Sequence, residues 1–500
     1  MEQSTAAPAS IPIGDASAPR WKIVLLQLIF VYLLALKLAY DLWAMPLGDE
    51  AYYWMWGQHL SWSYFDHPPL NGWLQGLSAA IVGWGPLHVR LMTWPTLAAT
   101  LWIIWLWSGR LAPHDRSNWF WHSAVIYLSM PVIFLMTSAA LPDHLLIPLG
   151  IGSIYAFQGF AESAENGAPR WRSLFVAAIL LGLAVLTKYN GVFIGIGYAV
   201  WILVRPKLRG LFLNWRLWAA ALLAIAMQAP VFYWNATEGA ASFRFHLAGR
   251  GLAFVQPQPL QALAFIGGMI LSISPILFGA LFRLPFLKSA SGREIQTVSL
   301  ASTLFLVSTI FWTGFALFLV VYFHWNIVAY LALAPIAFRL LGGRIALWLH
   351  IGWGLLLITP AMLNYMVTPL ALPGLSDPVA GSDYGWPEVA AEISKAKAQH
   401  PGAFLAATRY TYAAQLGLML HDTGIAAFNP IPSQIDYWFD ARAHAGNDAL
   451  IIADGAFPIA NAQSSFAFLT KLEDIPVMRF GQKIWTFELW LGKGFRPAAN

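Results

Sequence analysis

The sequence predicts a polytopic α-helical membrane protein with a small C-terminal α/β domain on its outer face, and three observations carry that reading. Charged residues are only 11% of the 500, against about a quarter in soluble domains, too few to cover a soluble globule. Apolar residues reach 58% and the mean hydropathy is +0.58. Aromatic residues make up 15%, including 26 Trp, as expected where rings sit at both membrane-water interfaces. A soluble cytosolic protein is excluded. The absence of cysteine removes disulfides, thiolate metal sites and Cys nucleophiles. A net charge of +5 without a basic soluble face gives no nucleic-acid partner.

Residues 1–20 are small and polar and read as a disordered cytoplasmic tail. The apolar run from Trp21 to Trp43 is near the ~20 residues a spanning helix needs, too long for a signal h-region, and has no small-residue cleavage site. It reads as a retained first span. Further spans are expected near 88–107, 118–137, 143–160, 173–188, 190–204, 217–234, 259–282, 298–320, 327–341 and 345–364, for about eleven transmembrane helices.

Lys and Arg fix the orientation. Alternate connections hold Arg20 and Lys22, Arg110 and Arg116, Arg170 and Arg172, Arg205 to Arg216, Arg283 to Arg293, and Arg339 with Arg344. The opposite face before residue 365 has only Arg90, Lys188, Arg244 and Arg250. The positive-inside rule places the N-terminus in the cytoplasm, and an odd number of spans puts the C-terminal stretch outside. The chain therefore divides into a transmembrane catalytic domain over 21–365, with a long first outer loop at 44–87, and an outer α/β domain over 366–500. In the latter, strands are expected at Ala403–Ala407, Ile425–Phe428 and Ala449–Ala453, with a hairpin across Val477–Leu491 turning near Gly481. Helices are expected from Pro387, from Thr411 and near Asn461.

Acids show the opposite bias: Asp41, Asp49, Glu50, Asp66, Asp143 and Glu238 fall on or near the outer face. The densest pattern is the first loop, Gly48-Asp49-Glu50-Ala51-Tyr52-Tyr53-Trp54 through Phe65-Asp66-His67-Pro68-Pro69-Leu70. It is far longer than ordinary helix connections and rich in Trp and Tyr, as functional loops are. Two short interfacial helices are expected in it, one from Asp49 and one led by Pro68-Pro69. An acidic pair at a helix start is also an ordinary dipole feature.

These residues, with Arg90-Leu91, Leu141-Pro142-Asp143-His144 and Leu186-Thr187-Lys188-Tyr189-Asn190-Gly191, resemble the polyprenyl-phosphate-sugar-dependent membrane glycosyltransferases of the C-type fold. Within them the chain is similar to the protein O-mannosyltransferases and the lipid A aminoarabinose transferase. The resemblance covers about residues 20–365. It implies an inverting glycosyltransferase, hexosyl or pentosyl, that moves a sugar from a polyprenyl (undecaprenyl) phosphate to a lipid A, glycan or protein acceptor. It also implies a multi-pass protein of the bacterial inner membrane with its active site facing the periplasm.

That reaction needs a carboxylate for the acceptor hydroxyl and positive charge for the departing phosphate. The resemblance makes Asp49 the catalytic carboxylate, with Glu50 supporting it and Asp143 a second acid; Asp143 alternatively caps its helix. Lys188, in the family's Leu-Thr-Lys position, is expected to bind the donor phosphate; alternatively it is a snorkelling lysine. Arg250, Arg244, His67 and Arg90 are further phosphate candidates. Asp66 and Tyr53 are expected to serve the acceptor or the loop. Asp66-His67 stands where the aminoarabinose transferase has Glu-Lys, which leaves their role open. Ser433–Trp438 reads as core packing, with contact to sugar or acceptor as the alternative. No cofactor is expected; a divalent metal held by Asp66, His67, His144 and His246 stays an alternative. The partners expected are the bilayer, the lipid-linked sugar and the acceptor, and the protein is expected to be monomeric. A secondary transporter or lipid flippase is the alternative from another class, expected to carry midplane charges or broken helices related between two halves.

Overall fold

The structure, a computed structural model, describes residues 19–85, 89–246, 256–284, 292–341, 344–367 and 382–497; the expected N-terminal tail lies almost wholly outside them. The first span is α1, Arg20–Trp43, followed by the loop helices α2, Gly48–Gln58, and α3, Leu70–Val82. Then come α4 (Thr93–Leu111), α5 (Arg116–Leu128), α6 (Pro131–Ser138), α7 (Asp143–Glu165), α8 (Trp171–Thr187) and α9 (Val192–Val204). The remaining helices of the bundle are α10 (Trp215–Ala226), α11 (Ala229–Thr237), α12 (Ala241–Arg244), α13 (Pro259–Ile273), α14 (Pro275–Leu281), α15 (Gly292–Ala316), α16 (Ile327–Leu331), α17 (Ala337–Leu340) and α18 (Arg344–Met366).

Among the described residues four helices, α1, α7, α15 and most of α18, are long and apolar enough to cross a membrane, and seven spans result if the bent pairs α5–α6, α10–α11 and α13–α14 each count once. The pairs bend by 83°, 46° and 105°. In each, a proline opens the second helix, where its missing N–H and fixed φ interrupt the preceding ladder. The expected spans outside this count are 88–107, 173–188, 190–204 and 327–341. The first is α4, which turns Thr93, Thr96, Thr100 and Ser108 into the bundle and so loses hydropathy. α8 and α9 have 17 and 13 residues, short of the ~20 a span needs. The last breaks into α16 and α17.

The C-terminal part holds α19 (Trp386–Gln399), β1 (Phe404–Ala407), α20 (Tyr410–Leu420), β2 (Ala426–Ala427), β3 (Ala449–Asp454), β4 (Phe466–Arg479) and β5 (Gln482–Phe495). The sheet order is β2-β1-β3-β5-β4. β1 runs parallel to β2 and β3, and β5 is antiparallel to both β3 and β4. β4 begins at Phe466 instead of Val477. As an edge strand with Lys471, Glu473 and Asp474 on it, its first half lacks the apolar alternation that marks a strand in sequence. The helix expected near Asn461 is a 3-10 turn, Ile459–Ser465.

The loop and the sheet share one apolar core. Tyr52, Trp54 and Trp56 of α2 and Tyr64 cluster with Trp386, Tyr412, Leu416, Ile452 and Phe487. α2 lies between α3 and α20 at close range. A Cβ on Gly57 would stand 2.5 Å from the Gly76 amide nitrogen, and one on Gly48 2.8 Å from Thr411 Cβ. The Gln415 amide donates to the Pro46 carbonyl at 2.6 Å. The C-terminal part thus forms one wall around the first loop.

Candidate active site

The site starts from the two acids that open α2, which the backbone treats differently. Glu50 is the third helical residue, so its carboxylate reaches back to accept the Leu47 N–H at 2.9 Å and caps the helix. It is wholly buried, accepts the Ala140 N–H at 2.7 Å and is gripped by Arg90, Nε to Oε1 at 2.9 Å and Nη2 to Oε2 at 2.6 Å. Arg90 also donates to the carbonyls of Tyr40, Ala44 and Met45, each at 3.0 Å. All five of its N–H groups are engaged. The charge and bonds of Arg90 hold the Glu50 carboxyl below its ordinary value despite burial. Glu50 and Arg90 therefore tie the end of α1, the start of α2 and the turn before α7 into one frame, and Arg90 has no donor left for a phosphate.

Asp49 precedes Glu50 and keeps its carboxylate open to solvent, although protein crowds around it. The Tyr410 hydroxyl donates to its Oδ1 at 3.2 Å. Crowding by protein pushes its pKa up, against the opposing fields of Arg409 and Lys188 and the Tyr410 bond. Beneath it the Gly48 N–H donates to Asp383 at 2.9 Å. Tyr53 and Tyr410 both feel Asp49, and burial together with that charge keeps their hydroxyls protonated.

Asp143 is the first residue of α7, and its carboxylate accepts two bonds from Lys188, at 2.9 and 2.7 Å. Both side chains are buried. No side-chain cap forms at that helix start, and Lys188 is held by its partner instead of reaching for the interface. Asp49 lies close enough to feel the Lys188 charge, and Tyr53 feels Asp143. The loop acid thus lies within electrostatic range of the Lys-Asp pair of two other helix ends.

Asp66 accepts from the Tyr52 hydroxyl, and its carbonyl accepts from His246 Nε2 at 2.8 Å. The His67 ring lies 5.9 Å from Tyr53 and 6.3 Å from His246. Arg244 is exposed on α12. Arg250 lies outside the described residues. Among the described residues no group of three or more His, Asp or Glu could hold a metal ion.

Of the wall contributed by the C-terminal part, the sequence offers Ser433–Trp438 only as an alternative contact and gives no sign of Arg409 or Tyr410. Tyr410 bonds Asp49 with Arg409 next to it in the chain, and the Gln434 side chain accepts the Phe65 N–H at 2.6 Å while the Gln434 backbone N–H donates to the Tyr52 hydroxyl at 2.7 Å. Trp438 stacks on His59 with centroids 4.5 Å apart. Ser433–Trp438 therefore packs against the first loop. Tyr410 and Asp49 are 361 positions apart, and no local motif joins them.

This arrangement can accept a proton at Asp49 and meet a developing negative charge at Lys188. The family model described as dolichyl-phosphate-mannose-protein mannosyltransferase matches residues 66–234. The crystal structure of ArnT from Cupriavidus metallidurans in the apo state superposes with a TM-score of 0.62 at 12% identity, over 94% of this chain and 98% of that one. The same protein bound to undecaprenyl phosphate gives 0.61 at 13%, over 93% and 98%. The chain thus has the C-type fold of the membrane glycosyltransferases, as its loop motif indicated. In sequence it is 22% identical over 435 residues to the lipid A galacturonosyltransferase RgtD of Rhizobium johnstonii, covering 82% of this chain and 86% of that protein.

Proposed function

We propose that the protein transfers one sugar, with inversion, from undecaprenyl phosphate to an acceptor hydroxyl at the face that carries the first loop. The observation that carries this reading is a buried Lys188–Asp143 ion pair within electrostatic range of the exposed Asp49 carboxylate. The acceptor oxygen attacks the anomeric carbon and gives its proton to Asp49; the bond from that carbon to the phosphate oxygen breaks, and the electron pair leaves with the lipid phosphate toward Lys188. Asp143 holds the ammonium in place. Lys188 has three N–H groups and gives two to Asp143, so one remains for a phosphate oxygen. Tyr53 and Tyr410, kept neutral, serve as hydrogen-bond donors around the sugar, and Asp66 and His67 shape the loop beside it.

The Lys and Arg distribution supports a periplasmic site in a bacterial inner membrane. The name of the galacturonosyltransferase relative supports a hexuronic acid as the sugar and lipid A as the acceptor; another glycan or a protein hydroxyl is the broader class. The chemistry needs no cofactor and one copy of the chain, with a divalent ion on the phosphate as the alternative. Purified protein in proteoliposomes with a labelled undecaprenyl phosphate sugar and lipid A tests the proposal. A new glycosidic bond, formed equally with EDTA present, is the expected result. Label that crosses the bilayer without a new bond would mark a transporter instead.

A further inference from the structure

We infer that Arg409 selects a donor sugar carrying a carboxylate; this rests on the glycosyl-transfer reading above. The α2 start is rich in acid: Asp49 lies on it, Asp383 accepts the Gly48 N–H, Asp66 accepts from the Tyr52 hydroxyl, and Asp143 acts on Tyr53. Arg90 is committed to Glu50 and three carbonyls, and Lys188 to Asp143 and the leaving phosphate. A uronate entering here would meet net repulsion unless another cation received it.

Arg409 fits that need. It is half-buried and forms no ion pair among the described residues. Its guanidinium lies 4.1 Å from the centre of the Phe457 ring and 6.0 Å from that of Tyr410, whose hydroxyl holds Asp49. A guanidinium held over a ring face by the cation–π attraction can still donate its N–H groups to a planar partner. The backbone is fixed as well: the Arg409 carbonyl accepts the Tyr412 and Ala413 N–H groups at 3.1 and 3.0 Å, and the Tyr410 N–H bonds Asn429 at 2.5 Å. Because the Arg409 guanidinium lies beside the Tyr410 ring and the Tyr410 hydroxyl bonds Asp49, Arg409 stands on the same wall as the reacting carboxylate, and its charge acts on Asp49 more strongly than any other. A planar guanidinium matches a carboxylate with two parallel bonds, which a hydroxymethyl group cannot replace.

The test compares two donors that differ only at C6, undecaprenyl phosphate galacturonic acid and undecaprenyl phosphate galactose, on the wild type, Arg409→Gln and Arg409→Lys in proteoliposomes with lipid A. The readout is the ratio of kcat/KM for the two donors, which cancels any shared loss of folded enzyme. The wild type should favour the uronate, Arg409→Gln should lower the ratio about 10- to 100-fold, mostly through KM for the uronate, and Arg409→Lys should restore part of it. An equal fall for both donors, an unchanged ratio, or a wild type that favours galactose overturns the inference while transfer itself stands. A wild type that joins neither sugar to the acceptor overturns the transfer reading, and this inference with it.

Discussion

Two buried ion pairs meet the first loop, and they have been built for opposite ends. Glu50–Arg90 is saturated: two backbone N–H groups close one carboxylate, and three carbonyls take the rest of the guanidinium. Lys188–Asp143 is lean, with two bonds between the partners and one ammonium hydrogen over. The first pair can only hold; the second can hold and still receive. The same contrast separates Asp49 from Glu50, neighbours in sequence of which one is sealed and the other open. A carboxylate's residue type therefore says less about its work than the number of partners it already has.

The contrast can be broken most severely at Asp49. Asp49→Asn should lower kcat about 100- to 10,000-fold, the usual worth of a positioned proton acceptor, while thermal unfolding in detergent stays at or above the wild-type midpoint. Next, Lys188→Met combined with Asp143→Asn removes the lean pair without stranding a charge. It should cut kcat/KM for the donor about 100- to 1,000-fold and leave the unfolding midpoint nearly unchanged. A large loss of stability there would make the pair structural and erase the distinction.

Glu50→Gln attacks the saturated pair. Leaving Arg90 buried without its counter-charge should cost about 3–5 kcal/mol in unfolding free energy. The sign with pH follows from the lowered Glu50 value: its contribution is complete above the ordinary 4.5 and is lost as pH falls through the folded value. Asp49 goes the other way. Its pKa is raised above 3.8, so transfer should fail on the acid side earlier than for an ordinary carboxylate, in a pH-rate profile of kcat/KM. Tyr410→Phe, the mildest change, removes a bond that favours the charged form. It should move that limb to higher pH and lower the rate less than 10-fold at neutral pH.

The sequence made the membrane bundle and the loop legible because both are written locally. Apolar runs mark the helices, and Gly48 to Leu70 carries its acids and prolines within one stretch. The spans were least legible where length and composition part ways: α8 and α9 are apolar but short, and α16 and α17 share a run that reads as one helix. Arg90 showed its charge but not the carbonyls around it, so it was placed with the phosphate groups. Arg409 and Tyr410 were invisible for a different reason. They sit at a strand-to-helix turn in the last fifth of the chain, and their tie to Asp49 exists only in three dimensions.

Gln434 bonds both Phe65 and Tyr52, across 369 and 382 positions. During synthesis the bundle is threaded into the bilayer long before that glutamine is made. The reaction chamber is therefore missing a side until residue 434 has been made, and a nascent chain holding a lipid-linked sugar has no finished compartment in which to use it.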